Sequence, residues 1–497
     1  MPTIPRSSGA HSAASSDTIA DFTKSLDVNV IKNLALAVRT KSGLHPSTPP
    51  VSPSPVLSCA VNTPPENGAY NVVYHLHFSD GVSWVIRIPY EEWGPLKSSC
   101  MRLDIIAMQY ISSHTTIPIP RLHAYSYTTD NALGHPYMIM DEVQGTCLYD
   151  AWKDPSWWTG ERRKENLFQS LAGYMTQLAG LEFDKIGRLD RSDDSQAEAS
   201  HFVAPFPSGS ELVGQADGPH EELGPFDSTR AYLMSLVDLR RPLEKDARGK
   251  AWCALAQMFV DALPDARYDS APFTFDHPDF NTQNIFVDDT GRVVGMIDWD
   301  GVSIQPRQIG AMCYPTFVTL DWNPGTHGAD PEEMHQYRQM YAEAVRIASD
   351  GKLDAVVRTS HVAECVCASA SSGFEAGMVL IRLGEYVFGS ATVTLDVLEG
   401  LEHGSWLTIP ADEIARVKLW HGPDDDASSK ATDNLEDNVK AEKAVKVNGW
   451  VRRISGWVRR KVLNAVRSWT PTATKSAGEA REAGREATSQ RVEPTSG

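Results

Sequence analysis

The segment Thr274 to Val302, TFDHPDFNTQNIFVDDTGRVVGMIDWDGV, gathers the residues of this chain best suited to chemistry. His277, Asp279 and Asn284 follow the pattern H-x-D-x-x-x-x-N, and Asp298 comes fourteen residues after Asn284. Between them the sequence predicts a strand over Ile285 to Val287, a turn at Asp288-Asp289-Thr290-Gly291 and a returning strand over Val293 to Ile297. Two short antiparallel strands joined by a tight turn bring their outer ends side by side. Asn284 and Asp298 are therefore expected at one end of a hairpin, with Asp279 just upstream. Mg2+ takes one or two carboxylates or amides and completes its shell with phosphate oxygens and water, so this corner suits a metal–nucleotide complex. Turn capping by Asp279 and Asn284, with a hydrogen-bonded core His277, would account for the same residues without chemistry. The spacing alone turns up by chance in roughly a few per cent of chains this long. The hairpin ending in an aspartate is what argues for a site.

The elements that must hold this corner divide the chain. Residues 1–17 are rich in Ser and Ala and are expected to be disordered. In 18–61, Ile19, Phe22, Leu26, Val30, Ile31, Leu34 and Val38 fall at helical spacing, and the Pro-rich stretch Ser42 to Pro55 forms a linker. In 62–143, Tyr70 to Phe78 and Ser83 to Ile88 read as strands around the turn Ser79-Asp80-Gly81, preceded by a loop at Pro65 to Ala69. A helix over Ser98 to His114 and an apolar strand over Tyr137 to Met140 complete a small β-rich lobe. Residues 144–422 are mainly helical around the embedded hairpin, with helices at 160–181 and 331–401 and an irregular insertion at 190–228. Residues 423–497 form a polar tail.

Composition removes several alternatives. The chain has 497 residues, 41% of them hydrophobic, enough for a substantial core. A net charge of −18 disfavours nucleic-acid binding by the body of the protein. Seven cysteines at scattered positions point to reduced thiols, and the lone pair Cys365 and Cys367 lacks the second ligand pair a zinc site needs. With no recognisable secretion signal or long apolar run, the expected compartment is the cytoplasm, and the Ser-rich, acid-poor first 16 residues leave a mitochondrial alternative.

GAYNVVYHLHFSDGVSWVIRIP, TTIPIPRLHAY, LGHPYMIMDEVQG, HPDFNTQN and GMIDWD together resemble the aminoglycoside phosphotransferase family, and within it a group of uncharacterised fungal proteins. The resemblance covers about residues 62–420. It implies an α+β, two-lobed protein-kinase-like fold, with a small β-rich N-lobe and a larger, mainly helical C-lobe carrying the catalytic hairpin. It also implies that ATP and Mg2+ bind between the lobes and that a hydroxyl of a small molecule accepts phosphate. Asp279 would position the acceptor and take its proton, and Asn284 and Asp298 would hold the metal. Asn71 would stand by the phosphates, and the backbones of Asp141 and Val143 would meet the adenine. Arg87 and Asp104 occupy the places of the phosphate-binding lysine and its helix acid. Both depart from the usual Lys and Glu, and neither exchange is chemically neutral. Asp300, completing D-W-D, is either a supporting acid or a solvated residue.

Those departures leave a rival reading, a pseudokinase-type scaffold or nucleotide-binding protein whose tail does the work. From Val445 to Trp469 there are seven basic residues and no acidic one, with Gly-Trp-Val-Arg-Arg at 449–453 and again at 456–460. As a helix, 445–469 sets Trp450, Ile454, Trp457 and Val458 on one face and its arginines on the other. This suits peripheral membrane or protein contact, or docking on the acidic body of the same chain.

Overall fold

The computed structural model describes residues 16–43, 57–192, 200–208, 221–322, 329–371 and 374–403. The tail and its basic segment 445–469, the Pro-rich linker from 44 onward and the first 15 residues lie outside the described residues.

Alternating burial builds the small lobe. Helices α1 (Ser16–Ser25) and α2 (Val28–Gly43) are separated where Asp27 Oδ1 accepts the Asn29 N–H at 2.8 Å, a side-chain cap that starts the second helix. The first helix begins at Ser16, inside the stretch expected to be disordered. Strands β1 (Cys59–Val61), β2 (Glu66–Asn67), β3 (Asn71–Phe78), β4 (Ser83–Pro89), β5 (Leu122–Ser126) and β6 (Tyr137–Asp141) form one antiparallel sheet in the order β1-β3-β4-β6-β5, with β2 on β3. One face sends Val72, Tyr74, Leu76, Trp84, Ile86 and Ile88 into a core with Leu26, Ile31 and Ala35 from the two helices. On the other face Met138 and Met140 pack with Met101 and Ile105 of α3 (Pro95–His114). The loop expected at 65–69 is in part a strand folded back on β3, Glu66 opposite Val73 and Asn67 opposite Val72. Two residues are too few to show a period in sequence.

The larger lobe has one continuous core, which α3 enters through Ile106, Ala107, Met108 and Ile111. Strand β7 (Thr146–Cys147) leads into α4 (Leu148–Lys153), followed by α5 (Lys164–Ala179), a shorter helix than the 160–181 expected. After a short β8 (Glu182–Phe183), β9 (Arg188–Arg191), which runs into the region expected to be irregular, pairs with β10 (His201–Ala204) inside it. Helices Thr229–Arg240 and Ala247–Ala262 precede β11 (Phe273–Phe275), and helices between Pro331 and Glu402 close the core behind the hairpin. Among the described residues no single helix is long and apolar enough to cross a membrane; Ala376–Phe388 and Ala391–Glu402 reach that apolarity only as a pair bent by 110°.

Candidate active site

The hairpin forms as its sequence predicts. Strand β12 (Ile285–Val287) pairs with β13 (Val293–Met296), Ile285 opposite Met296 and Phe286 opposite Gly295. Asp288 Oδ1 closes the turn, accepting from the backbone N–H groups of Thr290 and Arg292 and from the Thr290 hydroxyl, and Gly291 takes the positive φ of 83° the turn requires. At the open end Ile297 N–H donates to Asn284 O at 2.9 Å. That bond sets Asn284 and Asp298 at adjacent strand ends.

Upstream, β11 delivers the loop that carries Asp279 by pairing with β14 (Ile304–Gln305) and β8. The next residue, Asp276, is buried and accepts from Ser303 N–H at 2.8 Å, tying the start of the loop to the far side of D-W-D. His277 Nε2 lies 3.1 Å from Ile297 O; a carbonyl only accepts, so Nε2 carries the proton. Its ring packs 4.5 Å from Trp299. Here the structural reading of His277 from sequence is right: it is a core residue that holds the loop against the hairpin.

Asp279 Oδ2 accepts from Gln283 Nε2 at 2.6 Å and from Asn284 Nδ2 at 2.8 Å, and Asn284 Nδ2 also reaches Asp279 O at 2.9 Å. The Asn284 amide is thereby turned, with its nitrogen committed to Asp279 and its oxygen on the opposite side. Asp298 has φ 64°, a left-handed backbone uncommon outside glycine and concentrated at functional sites. Its side chain is 42% exposed. Among the described residues no three His, Cys, Asp or Glu side chains form a metal cage. A carboxylate with an open side and an amide oxygen match instead the partial shell that Mg2+ takes when a substrate supplies the remaining oxygens.

Arg87 reaches across from β4. Its NH2 donates to Asp298 Oδ1 at 3.0 Å and to Asp300 Oδ2 at 3.0 Å, and its NH1 to Asp300 Oδ1 at 3.2 Å. Burial of the guanidinium works against its charge, but Asp300 and Asp298 outweigh it and raise the Arg87 pKa above its ordinary value. Asn71 opens β3 opposite Pro89, two pairs along from Val73 opposite Arg87, and so occupies the same sheet face as Arg87.

The expected pairing of Arg87 with Asp104 does not form. Asp104 Oδ1 instead accepts from Arg188 NH2 at 2.6 Å and from Gly301 N–H at 2.8 Å, and it is buried. Arg188, supplied by β9 just ahead of the stretch read as irregular, takes the Asp104 charge. Arg188, Gln283 and Asp276 were all missed. The H-x-D-x-x-x-x-N pattern encloses Gln283 without marking it, and only the three-dimensional pairing reveals the other two.

In the segment joining the lobes, Asp141 N–H donates to Arg121 O at 3.1 Å, and its carboxylate accepts from His123 Nε2 at 2.6 Å. Val143 lies against the hairpin so closely that a Cβ at Gly295 would stand 2.2 Å from Val143 Cγ1. The bare backbone at 295 lets the connecting segment touch β13.

A small antiparallel lobe and a larger helical lobe, with a carboxylate–amide corner between them, make a kinase-like fold. The chain belongs to the phosphotransferase enzyme family, whose sequence model matches residues 61–346. It is 23% identical over 316 residues to a subtelomeric hrmA-associated cluster protein of Aspergillus fumigatus, covering 51% of this chain and 60% of that one. It is 21% identical over 333 residues to altered inheritance of mitochondria protein 9, mitochondrial, of Clavispora lusitaniae, covering 55% and 54%. The chain thus spans little more than half the length of the curated relatives it matches. Among solved structures, a thermostable mutant of an aminoglycoside phosphotransferase aligns over 70% of this chain and 96% of its own at 13% identity, with a TM-score of 0.37.

Proposed function

We propose that this protein is a phosphotransferase that uses ATP and Mg2+ to phosphorylate a hydroxyl group of a small molecule. The observation that carries the reading is the orientation of Asn284: its nitrogen is fixed by Asp279, so its oxygen and the open carboxylate of Asp298 are the groups presented at the hairpin end. These two would hold Mg2+, which when bound neutralises phosphate charge and orients the transferring group. Asp279 accepts two amide hydrogens on Oδ2, which hold its carboxylate in place to take an acceptor's proton. Arg87 brings its positive charge and its remaining N–H groups to the phosphate oxygens, and Asn71 adds a polar side chain on the same sheet face. The Asp141 N–H is spent on Arg121, so its carbonyl and the Val143 N–H are the groups suited to a purine edge. Rate enhancement here comes from positioning and charge neutralisation.

The test is calorimetric titration of the full chain with ATP, with and without Mg2+. Binding that strengthens with the metal supports the reading and justifies screening hydroxyl-bearing metabolites as acceptors. Absence of binding in both conditions, with and without those metabolites, overturns it in favour of a scaffold.

A further inference from the structure

We infer that Asp300 is the residue that keeps Arg87 in its working position, doing from the large lobe what the helix acid was expected to do from the small one. The inference rests on the nucleotide reading above. Arg87 meets Asp300 through both arms of its fork, NH1 to Oδ1 at 3.2 Å and NH2 to Oδ2 at 3.0 Å, but meets Asp298 through NH2 alone. A two-armed guanidinium–carboxylate pair fixes direction as well as distance. Asp104 has its charge opposite Arg188 and accepts the Gly301 N–H, so it is committed to other partners.

The backbone around Asp300 is fixed on both sides. Trp299 is buried with its Nε1 donating to Met296 O at 2.9 Å, and Gly301 is bonded to Asp104 in α3. Asp300 is therefore presented to Arg87 by a held loop and does not need to be recruited.

The division of labour between the two aspartates follows from competition. A cation that takes the Asp298 carboxylate competes with Arg87 for its charge, because NH2 already holds Oδ1 and two positive groups at one carboxylate repel each other. Asp300 retains the arginine through its two bonds, so that Arg87 stays at the cleft while Asp298 changes partner. Without Asp300, Arg87 has Asp298 alone and opposes the metal there. Asp300 is in this account a positioning residue and not a metal ligand.

The experiment is a double-mutant cycle read by calorimetry: ATP binding to the full chain across a series of Mg2+ concentrations, for the wild type, Asp300→Asn, Arg87→Met and the double variant. Asp300→Asn is expected to raise the Mg2+ concentration for half-maximal effect by about 10- to 100-fold, as loss of a partner outside the metal shell does elsewhere. In the Arg87→Met background the same change should matter by less than about twofold, since the residue it acts through is gone. Asp300→Glu, which keeps the charge and the fork, should recover most of the wild-type response. An undiminished Asp300→Asn effect in the Arg87→Met background would make Asp300 a ligand and overturn the inference. So would an Asp300→Asn protein that binds like the wild type. In both cases wild-type ATP binding still strengthens with Mg2+, and the phosphotransferase reading stands. A wild type whose ATP binding ignores Mg2+ removes that reading and this inference together.

Discussion

Asp279 is held by Gln283 and Asn284, four and five residues along the chain, whereas Arg87 is held by carboxylates 211 and 213 residues away. The first arrangement forms as soon as one short loop adopts its shape. The second exists only once two lobes have folded and met. The aspartate's position is thus set by local geometry, while the arginine's depends on how the lobes sit. Under the proposed function, the group that takes the proton is built locally and the group that meets the nucleotide is built across the cleft.

Substitutions that separate the two sides test this contrast. The largest effect is expected from Asp279→Asn: turnover should fall by about 10²- to 10⁴-fold while ATP still binds. Undiminished turnover would remove Asp279 from the chemistry. Next is Asp104→Ala, which strands Arg188 in a buried setting; chemical denaturation should show a loss of about 3–5 kcal/mol. A loss well under 1 kcal/mol would mean that the lobes do not depend on this pair. Gln283→Ala removes one of the two amides from Asp279 and should cost about 1.5 kcal/mol in the transition state, or about tenfold in turnover, with ATP affinity unchanged. Gln283→Glu should be worse, because it sets a second carboxylate against the first; equal rates for the two variants would show that the amide orients nothing. Gly295→Ala is read on stability instead of turnover: the new methyl must push Val143 aside at a cost of about 1–3 kcal/mol, seen as a lower Tm. An unchanged Tm would mean that the connecting segment yields freely.

The same contrast explains what could be read from the sequence. The corner at Asp279, Asn284 and Asp298 was legible because its geometry follows from a local hairpin whose strands and turn residues announce themselves. Strands β3 and β4 and the helix α3 were legible for a similar reason, through their periodicity. The partners of Arg87 and Asp104 were not. An ion pair spanning two hundred residues leaves no spacing to detect, and Arg188 lies on a four-residue strand beside a stretch with no clear period. The short β2 was hidden likewise, since its pairing is fixed by the strand it returns to and not by its own two residues. His277 fits the motif and yet does a packing task, which shows that membership of a pattern and a part in the reaction are separate matters.

The middle of helix α3 is enclosed, with Leu103 to Met108 buried in succession, and it is fastened to the large lobe by Asp104 at Gly301 and Arg188. Its contact with the sheet is different in kind, made largely by Met101 against Met138 and Met140. Unbranched thioether chains change rotamer cheaply and refill the spaces they leave. Mechanically, the helix is part of the chassis and the methionine layer is its bearing. A shift of the sheet against the helix would be taken up in this layer of Met101, Ile105, Met138 and Met140, where three of the four side chains repack at little cost.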